Sequence, residues 1–227
     1  MPTKEEIKAK LTEDPNYYSS KSLEGADLSG LELLGVEFFD TDLINANLEG
    51  TILDGACLDA AVLEGANLKG ASLKKAKLEE ANLEKAILTN ADFTEAVLPD
   101  AKLDYANIEG AIFVKCDLGN CSLYEVKAKG AKFNNSKLSL ASLDYSDFSE
   151  ADFTYCNLQF ASFRESNLKG AIMTKALLRE ARLVKTNLED ADLSGAILEN
   201  ADLEGAILTN TKLLGAVMKG VKNRPPK

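Results

Sequence analysis

The chain of 227 residues contains no histidine and no tryptophan, and only five prolines and four cysteines. Without histidine there is no catalytic dyad or triad of the usual kind and no His-containing zinc site. Long apolar runs are also missing, so no segment can cross a bilayer as a helix. The first residues, Met1-Pro2-Thr3-Lys4-Glu5-Glu6-Ile7, carry no apolar stretch of signal-peptide length, and the expectation is a cytoplasmic protein. Cys57, Cys116, Cys121 and Cys156 are not spaced like a secreted disulfide framework and read as reduced, small core residues. Basic residues are outnumbered 26 to 36, a net charge of −10, so direct nucleic-acid binding is not expected. No Gly-x-Gly occurs, and no Gly-x4-Gly is followed by Lys-Ser or Lys-Thr, which removes the common phosphate-binding loops. No enzyme activity, cofactor or metal is expected.

What the chain has instead is a period of five. Of its 15 glycines, 14 fall at residue numbers divisible by five. Counted in fives from Lys21, the third position is Leu in 29 of 40 units and Phe in seven; the others are Ile108, Met173, Met218 and Ala128. The first position is Ala in 26 units and otherwise mostly Ser, Thr, Cys or Val. The second is often Asp or Asn, and the fourth and fifth are mostly polar. Five matches neither a helix nor a strand period, so a turn must recur in every unit. One large and one small residue per unit then point inward, and Gly or Asn beside the turn tolerates positive φ. A coil of this kind buries little alone, so coils must stack.

Units such as Ala26-Asp27-Leu28-Ser29-Gly30, Ala66-Asn67-Leu68-Lys69-Gly70 and Ala201-Asp202-Leu203-Glu204-Gly205 resemble the A(D/N)LxX consensus of the pentapeptide repeat family over residues 21–220. The resemblance implies an all-β solenoid, a right-handed quadrilateral β-helix of about ten four-unit coils. It also implies a bacterial source, cyanobacteria being rich in such proteins. Four units per coil place residues 20 apart in one column. Phe93, Phe113, Phe133 and Phe153, followed by Met173, then form a ladder. Ala128, one coil below Phe148, leaves room for the larger rings. Cys116 and Cys156 fall two coils apart, ~9.6 Å, too far for a disulfide.

Three segments are expected: a capping helix and turn over 1–20, the β-helix of 40 units over 21–220, and a flexible basic tail over 221–227. Thr3 and Glu6 match a capping box, and Ile7 and Leu11 share one helix face over the first coil. Leu34, Phe39 and Ile44, outward at fourth positions, are expected to lie under that helix or against Tyr17 and Tyr18. At the other end no helix is foreseen, leaving a monomer or an end-to-end homodimer through the C-terminal coil. Gyrase-inhibiting members of the family typically carry a C-terminal dimerisation helix and projecting loops, and this chain has neither.

Three surface features are candidates for function. Ten acids in 22–68 (Glu24, Asp27, Glu32, Glu37, Asp40, Asp42, Glu49, Asp54, Asp59 and Glu64) stand without a Lys or Arg among them. They suggest phosphate mimicry, hence an inhibitor or protector of a type II topoisomerase, or else simple solubility. Lys127, Lys129, Lys132 and Lys137 form a basic cluster that reads as a solvated face. Tyr105, Tyr124, Tyr145, Tyr155 and Phe160 occupy outward positions in a single stretch, as a partner-binding patch would. The leading expectation is a non-enzymatic, rod-like protein-binding or scaffold module with an unidentified protein partner.

Overall fold

The computed structural model describes residues 2–223. One α-helix, α1 (Lys4–Glu13), precedes a β-helix-like stack. Thr3 is its N-cap: the Thr3 hydroxyl accepts from the Glu6 N–H at 3.2 Å, and the Glu6 carboxylate accepts from the Thr3 N–H at 2.8 Å. Asp14, extended and followed by Pro15, ends the helix. Ile7 and Leu11 are its buried residues, as their spacing predicts. They lie in the same core as Leu23, Leu33 and Val36 of the first coil. The Pro15 carbonyl accepts from the Glu37 N–H at 3.1 Å, and the Tyr18 carbonyl from the Thr41 hydroxyl at 2.9 Å, so the segment after α1 pairs part of the open backbone edge.

From Ser22 onward the second residue of each unit forms a parallel bridge with the residue 20 positions ahead, the last pair being Asp202 and Lys222. Four units therefore return the chain to the same column. Four hydrogen bonds recur, one of them from the second-position N–H to the first-position carbonyl of the coil before, as from Asn47 to Ala26 at 2.9 Å. The third-position N–H donates to the second-position carbonyl of the next coil, as from Leu28 to Asn47 at 2.8 Å. The fifth-position N–H donates to the next coil's fourth-position carbonyl, as from Gly30 to Glu49 at 2.8 Å. The first-position N–H closes the turn on its own coil, as from Ala26 to Leu23 at 3.0 Å. Lys222 continues the ladder two residues past the expected end of the repeat, and Arg224–Lys227 of the expected tail lie outside the described residues.

Every fifth-position residue from Gly25 to Gly220 has positive φ, and 26 of the 40 are not glycine. The left-handed conformation costs an L-residue about 1–2 kcal/mol. From Gly25 to Asn200 the fifth-position N–H donates to the coil above, which holds the corner in this geometry.

The interior follows the sequence pattern. Third-position residues are fully buried along most of the stack, and first-position residues with them. Phe93, Phe113, Phe133 and Phe153 stack face to face at 4.7, 5.1 and 4.8 Å with interplanar angles of 11°, 5° and 4°. The Phe148 ring reaches down one coil to Phe133, at 6.1 Å, over the small Ala128. Where the first position is Ser, Thr or Cys, its side chain donates to the carbonyl 23 residues earlier: Thr51 to Leu28 at 2.8 Å, Ser146 to Leu123 at 2.7 Å, Thr186 to Phe163 at 2.7 Å. All four cysteines are free thiols. Cys116, Cys121 and Cys156 donate to Phe93, Leu98 and Phe133 in the same way, and burial pushes each thiol up to about 12.

One expectation fails for two of its three residues. Leu34 and Phe39 remain exposed, because α1 packs over the interior of the first coil, although Leu34 borders the groove beside the helix; Ile44 is half-buried.

Candidate protein-interaction surface

The acids of 22–68 do not line one side of the stack. Glu24, Asp42 and Glu64 stand in the columns of one side, Asp27 and Glu49 on the next, Glu32 and Asp54 on the third, and Glu37, Asp40 and Asp59 on the fourth. Several are engaged within the chain. Asp27 accepts from the Ser29 N–H at 3.1 Å, and these bonds to Ser29 hold its carboxyl below the usual range. Asp54 and Asp59 accept from the Lys74 and Glu79 N–H groups one coil on, at 3.0 and 2.8 Å. Glu49 and Glu64 pair with Lys69 and Lys85 at 3.5 and 2.6 Å. The basic cluster disperses likewise: Lys127 and Lys129, Lys132, and Lys137 stand on three different sides. Lys129 pairs with Glu150 at 3.2 Å and Lys137 with Asp117 at 3.0 Å.

The aromatic residues behave differently. Tyr105 and Tyr145 are fifth-position residues of the same column, and Tyr124 is the fourth-position residue of the coil between them. Their rings touch in sequence: Tyr105 to Tyr124 at 5.8 Å and 80°, Tyr124 to Tyr145 at 5.4 Å and 61°. Such edge-to-face contacts add about 0.5–1.5 kcal/mol per pair beyond area burial and stiffen the ridge. The backbone beneath is fixed by carboxylates. Asp104 accepts from the Tyr124 N–H at 2.9 Å and from the Ser122 hydroxyl. Asp144 accepts from the Arg164 N–H at 2.8 Å, and the Arg164 carbonyl accepts from the Tyr145 N–H at 2.8 Å. The neighbouring Glu125 carboxylate pushes the Tyr124 phenol up to about 12.

Phe160 stands at the corner where the chain enters this same side, one coil above Leu140, and both are exposed. Leu140, at 60% the more exposed, is a patch member that a search for aromatics alone does not find. Between that corner and the tyrosine ridge run the small second-position residues Ser122, Ser142 and Ser162. Small serines thus run between the Leu140–Phe160 edge of this side and the tyrosine ridge. Ser162 Oγ and Arg164 Nε, one coil beyond Tyr145 on this side, are the two buried side-chain polar atoms without a hydrogen-bond partner among the described residues. Tyr155 is not part of it. It stands on another side, where Lys175 Nζ lies 5.1 Å over its ring and donates to its hydroxyl at 2.9 Å.

An open groove of about 270 Å³ lies between α1 and the first coil, lined by Leu11, Pro15, Glu32 and Leu34 among others, and another of about 250 Å³ is lined by Phe39, Asp59, Ala60, Glu79 and Glu80. Among the described residues no group of Cys, Asp and Glu is arranged to hold a metal ion, and no helix is long and apolar enough to cross a membrane.

Comparison with known proteins returns a family model described as pentapeptide repeats, matched in eight copies, its matched segments running from 22–55 to 186–222 without a gap. Among solved structures, the chain is similar to HetL, a pentapeptide repeat protein involved in heterocyst differentiation regulation from the cyanobacterium Nostoc sp. strain PCC 7120. That likeness has 28% identity over 96% of this chain and 98% of HetL, with a TM-score of 0.43. It is also similar to QnrB1, a plasmid-mediated fluoroquinolone resistance protein, at 17% identity over 90% of this chain and 87% of that one, with a TM-score of 0.54. The cyanobacterial Rfr23 of Cyanothece 51142 matches 49% of this chain at 28% identity, with a TM-score of 0.28. No curated protein matches the chain.

Proposed function

The chain belongs to the pentapeptide repeat family, and from that premise we propose that it is a non-enzymatic scaffold rod whose Tyr105–Tyr124–Tyr145 side binds a protein partner. The observation that carries this proposal is the contact of the three rings at 5.8 and 5.4 Å on an outward column, with Tyr105 and Tyr145 about half exposed. Rigid, exposed aromatics are what interface hot spots contain. Leu140 and Phe160 form the opposite edge, and Tyr155 belongs to a separate surface. The architecture we assign is a right-handed quadrilateral β-helix of about ten coils, a rod of roughly 48 Å at ~4.8 Å per coil, which small-angle scattering would measure. Its work is done in solution, in the cytoplasm.

Replacing Tyr105 and Tyr145 by Ala tests the reading. The variant should melt as the parent does and lose capture of partners from lysate. Capture of every partner at parental levels would remove the proposal. The topoisomerase reading is less favoured, because the acids encircle the rod and several cap its own backbone. A supercoiling assay with purified gyrase should show neither inhibition nor protection at micromolar protein.

A further inference from the structure

The six tyrosines divide into two groups. Tyr18 is buried, and the two remaining tyrosines outside the ridge each carry a cation of this chain. Lys21 Nζ lies 3.8 Å over the Tyr17 ring, with Lys10 at 5.3 Å, and Lys175 lies 5.1 Å over Tyr155. Among the described residues no cation lies over Tyr105, Tyr124 or Tyr145. Yet these rings stand among three carboxylates, those of Asp104, Glu125 and Asp144; Asp104 and Asp144 each cap a backbone N–H of the next coil through Oδ1, and none of the three is in an ion pair among the described residues. Lys102 and Arg164 share the side, and neither sits over a ring. The nearby bases Lys85 and Lys185 are committed to Glu64 and Glu165 at 2.6 and 3.0 Å. The ridge therefore combines ring faces and negative charge with no cation to complement them.

We infer that the Tyr105–Tyr124–Tyr145 ridge takes an arginine-bearing extended segment of its protein partner, each guanidinium stacking on a tyrosine ring and forking to a carboxylate beside it. The inference rests on the partner-binding reading above and specifies the partner's chemistry. Arginine suits the site better than lysine, because a planar guanidinium can lie flat on a ring while its edge donates two hydrogen bonds to a carboxylate. The ridge supplies both elements at the spacing of the coils: Tyr105 and Tyr145 are two coils apart, ~9.6 Å, with Glu125 between them. An extended peptide places side chains of one face every ~6.6–7 Å, so two alternate arginines can engage a ridge of this length. The column of small residues Ser122, Ser142 and Ser162 beside it gives the peptide backbone room.

The test uses a ten-residue peptide of alternating Gly and Arg, and the same peptide with citrulline for arginine, which keeps shape and removes charge. The full chain has no tryptophan, so tyrosine emission reports binding directly. At 150 mM salt the arginine peptide should give saturable quenching and bind at least tenfold more tightly than the citrulline peptide. The Glu125→Gln variant and the Tyr105→Leu/Tyr145→Leu variant, both checked for an unchanged melting curve, should weaken it about fivefold or more. Equal binding of the two peptides overturns the inference. So does undiminished binding of the arginine peptide by both variants, which would locate it on the acidic end of the rod. Loss of lysate partners by the tyrosine variant together with no arginine-peptide binding sinks this inference and leaves the partner-binding proposal standing. Partners retained by the tyrosine variant sink both.

Discussion

Phe133 is the residue on which the interior can be tested most sharply. Its ring touches Phe113 at 5.1 Å, Phe153 at 4.8 Å and Phe148 at 6.1 Å, and it is fully buried. A buried Phe→Ala change costs about 3–5 kcal/mol. Three aromatic pairs are lost at ~0.5–1.5 kcal/mol each beyond their buried area, which places Phe133→Ala at the top of that range, about 5 kcal/mol. Phe133→Leu keeps most of the volume and loses chiefly the pair interactions, so its cost should be about 2 kcal/mol. The solenoid sharpens the consequence, since each coil touches only its neighbours and a weakened coil divides the rod into two cooperative parts. Urea unfolding followed by circular dichroism measures both quantities. Phe133→Ala should lower the midpoint most and broaden the transition or split it. Phe133→Leu should shift the midpoint with an unchanged slope. The reasoning is refuted if Phe133→Leu is as damaging as Phe133→Ala, which would make volume irrelevant. It is refuted equally if Phe133→Leu costs less than about 0.5 kcal/mol, the level of an ordinary surface change.

Other outcomes follow from the same structure. Cys116, Cys121 and Cys156, pushed up to about 12 by burial, should resist a thiol reagent at pH 8, leaving the partly exposed Cys57 as the first to react; all four should react in denaturant. A thiol raised in the folded state contributes stability that is complete below its unfolded value, near 8.5, and is lost as pH climbs toward 12. The urea midpoint should accordingly hold between pH 6 and 8 and fall above about 9, less steeply when the three buried cysteines are replaced by Ser. Gly30→Ala, with open space around the new Cβ, should cost about 1 kcal/mol for the left-handed backbone alone. Gly110→Ala sets its Cβ 2.5 Å from Asn90 Oδ1 and should cost more, with the excess removed by Asn90→Ala in a double-mutant cycle.

The repeat was legible because its signal is redundant: forty third positions repeat one requirement, and the structure buries nearly all of them. The helix was legible for a different reason, a capping box followed by Ile7 and Leu11 at the spacing of one face. Less legible was the geometry at each end. Leu34 and Phe39 were expected beneath α1 or against Tyr17 and Tyr18, but where a helix and the turn after it lie over a coil depends on tertiary packing that no periodicity records. The fifth position was half legible. Glycine marked its positive φ in fourteen units, while residues as unlike as Tyr105, Glu125 and Leu140 adopt the same conformation because the coil above demands it. The Tyr105–Tyr145 column followed from counting in twenties. Leu140 and the serine column did not, because they lie outside the aromatic residues that drew attention first.

The surface obeys a rule that separates the two functional readings. Neighbours in sequence stand on different sides of this rod, and neighbours in space are about 20 residues apart. A run of like residues along the chain, such as the ten acids of 22–68, is therefore dispersed into a girdle, and much of it is consumed in capping the backbone of the next coil, as Asp54 and Asp59 are. A surface built to meet a partner must instead recur at intervals near 20. Tyr105, Tyr124 and Tyr145 do so, and so do the carboxylates of Asp104, Glu125 and Asp144 that accompany them. Asp104 and Asp144 also cap backbone N–H groups one coil on, as Asp54 and Asp59 do, whereas nothing in the packing of the coils asks for the tyrosines or for Glu125, since the interior of the coils is filled by first and third positions. Core packing leaves this combination unexplained, and a ligand carrying both an apolar plane and a positive charge accounts for it.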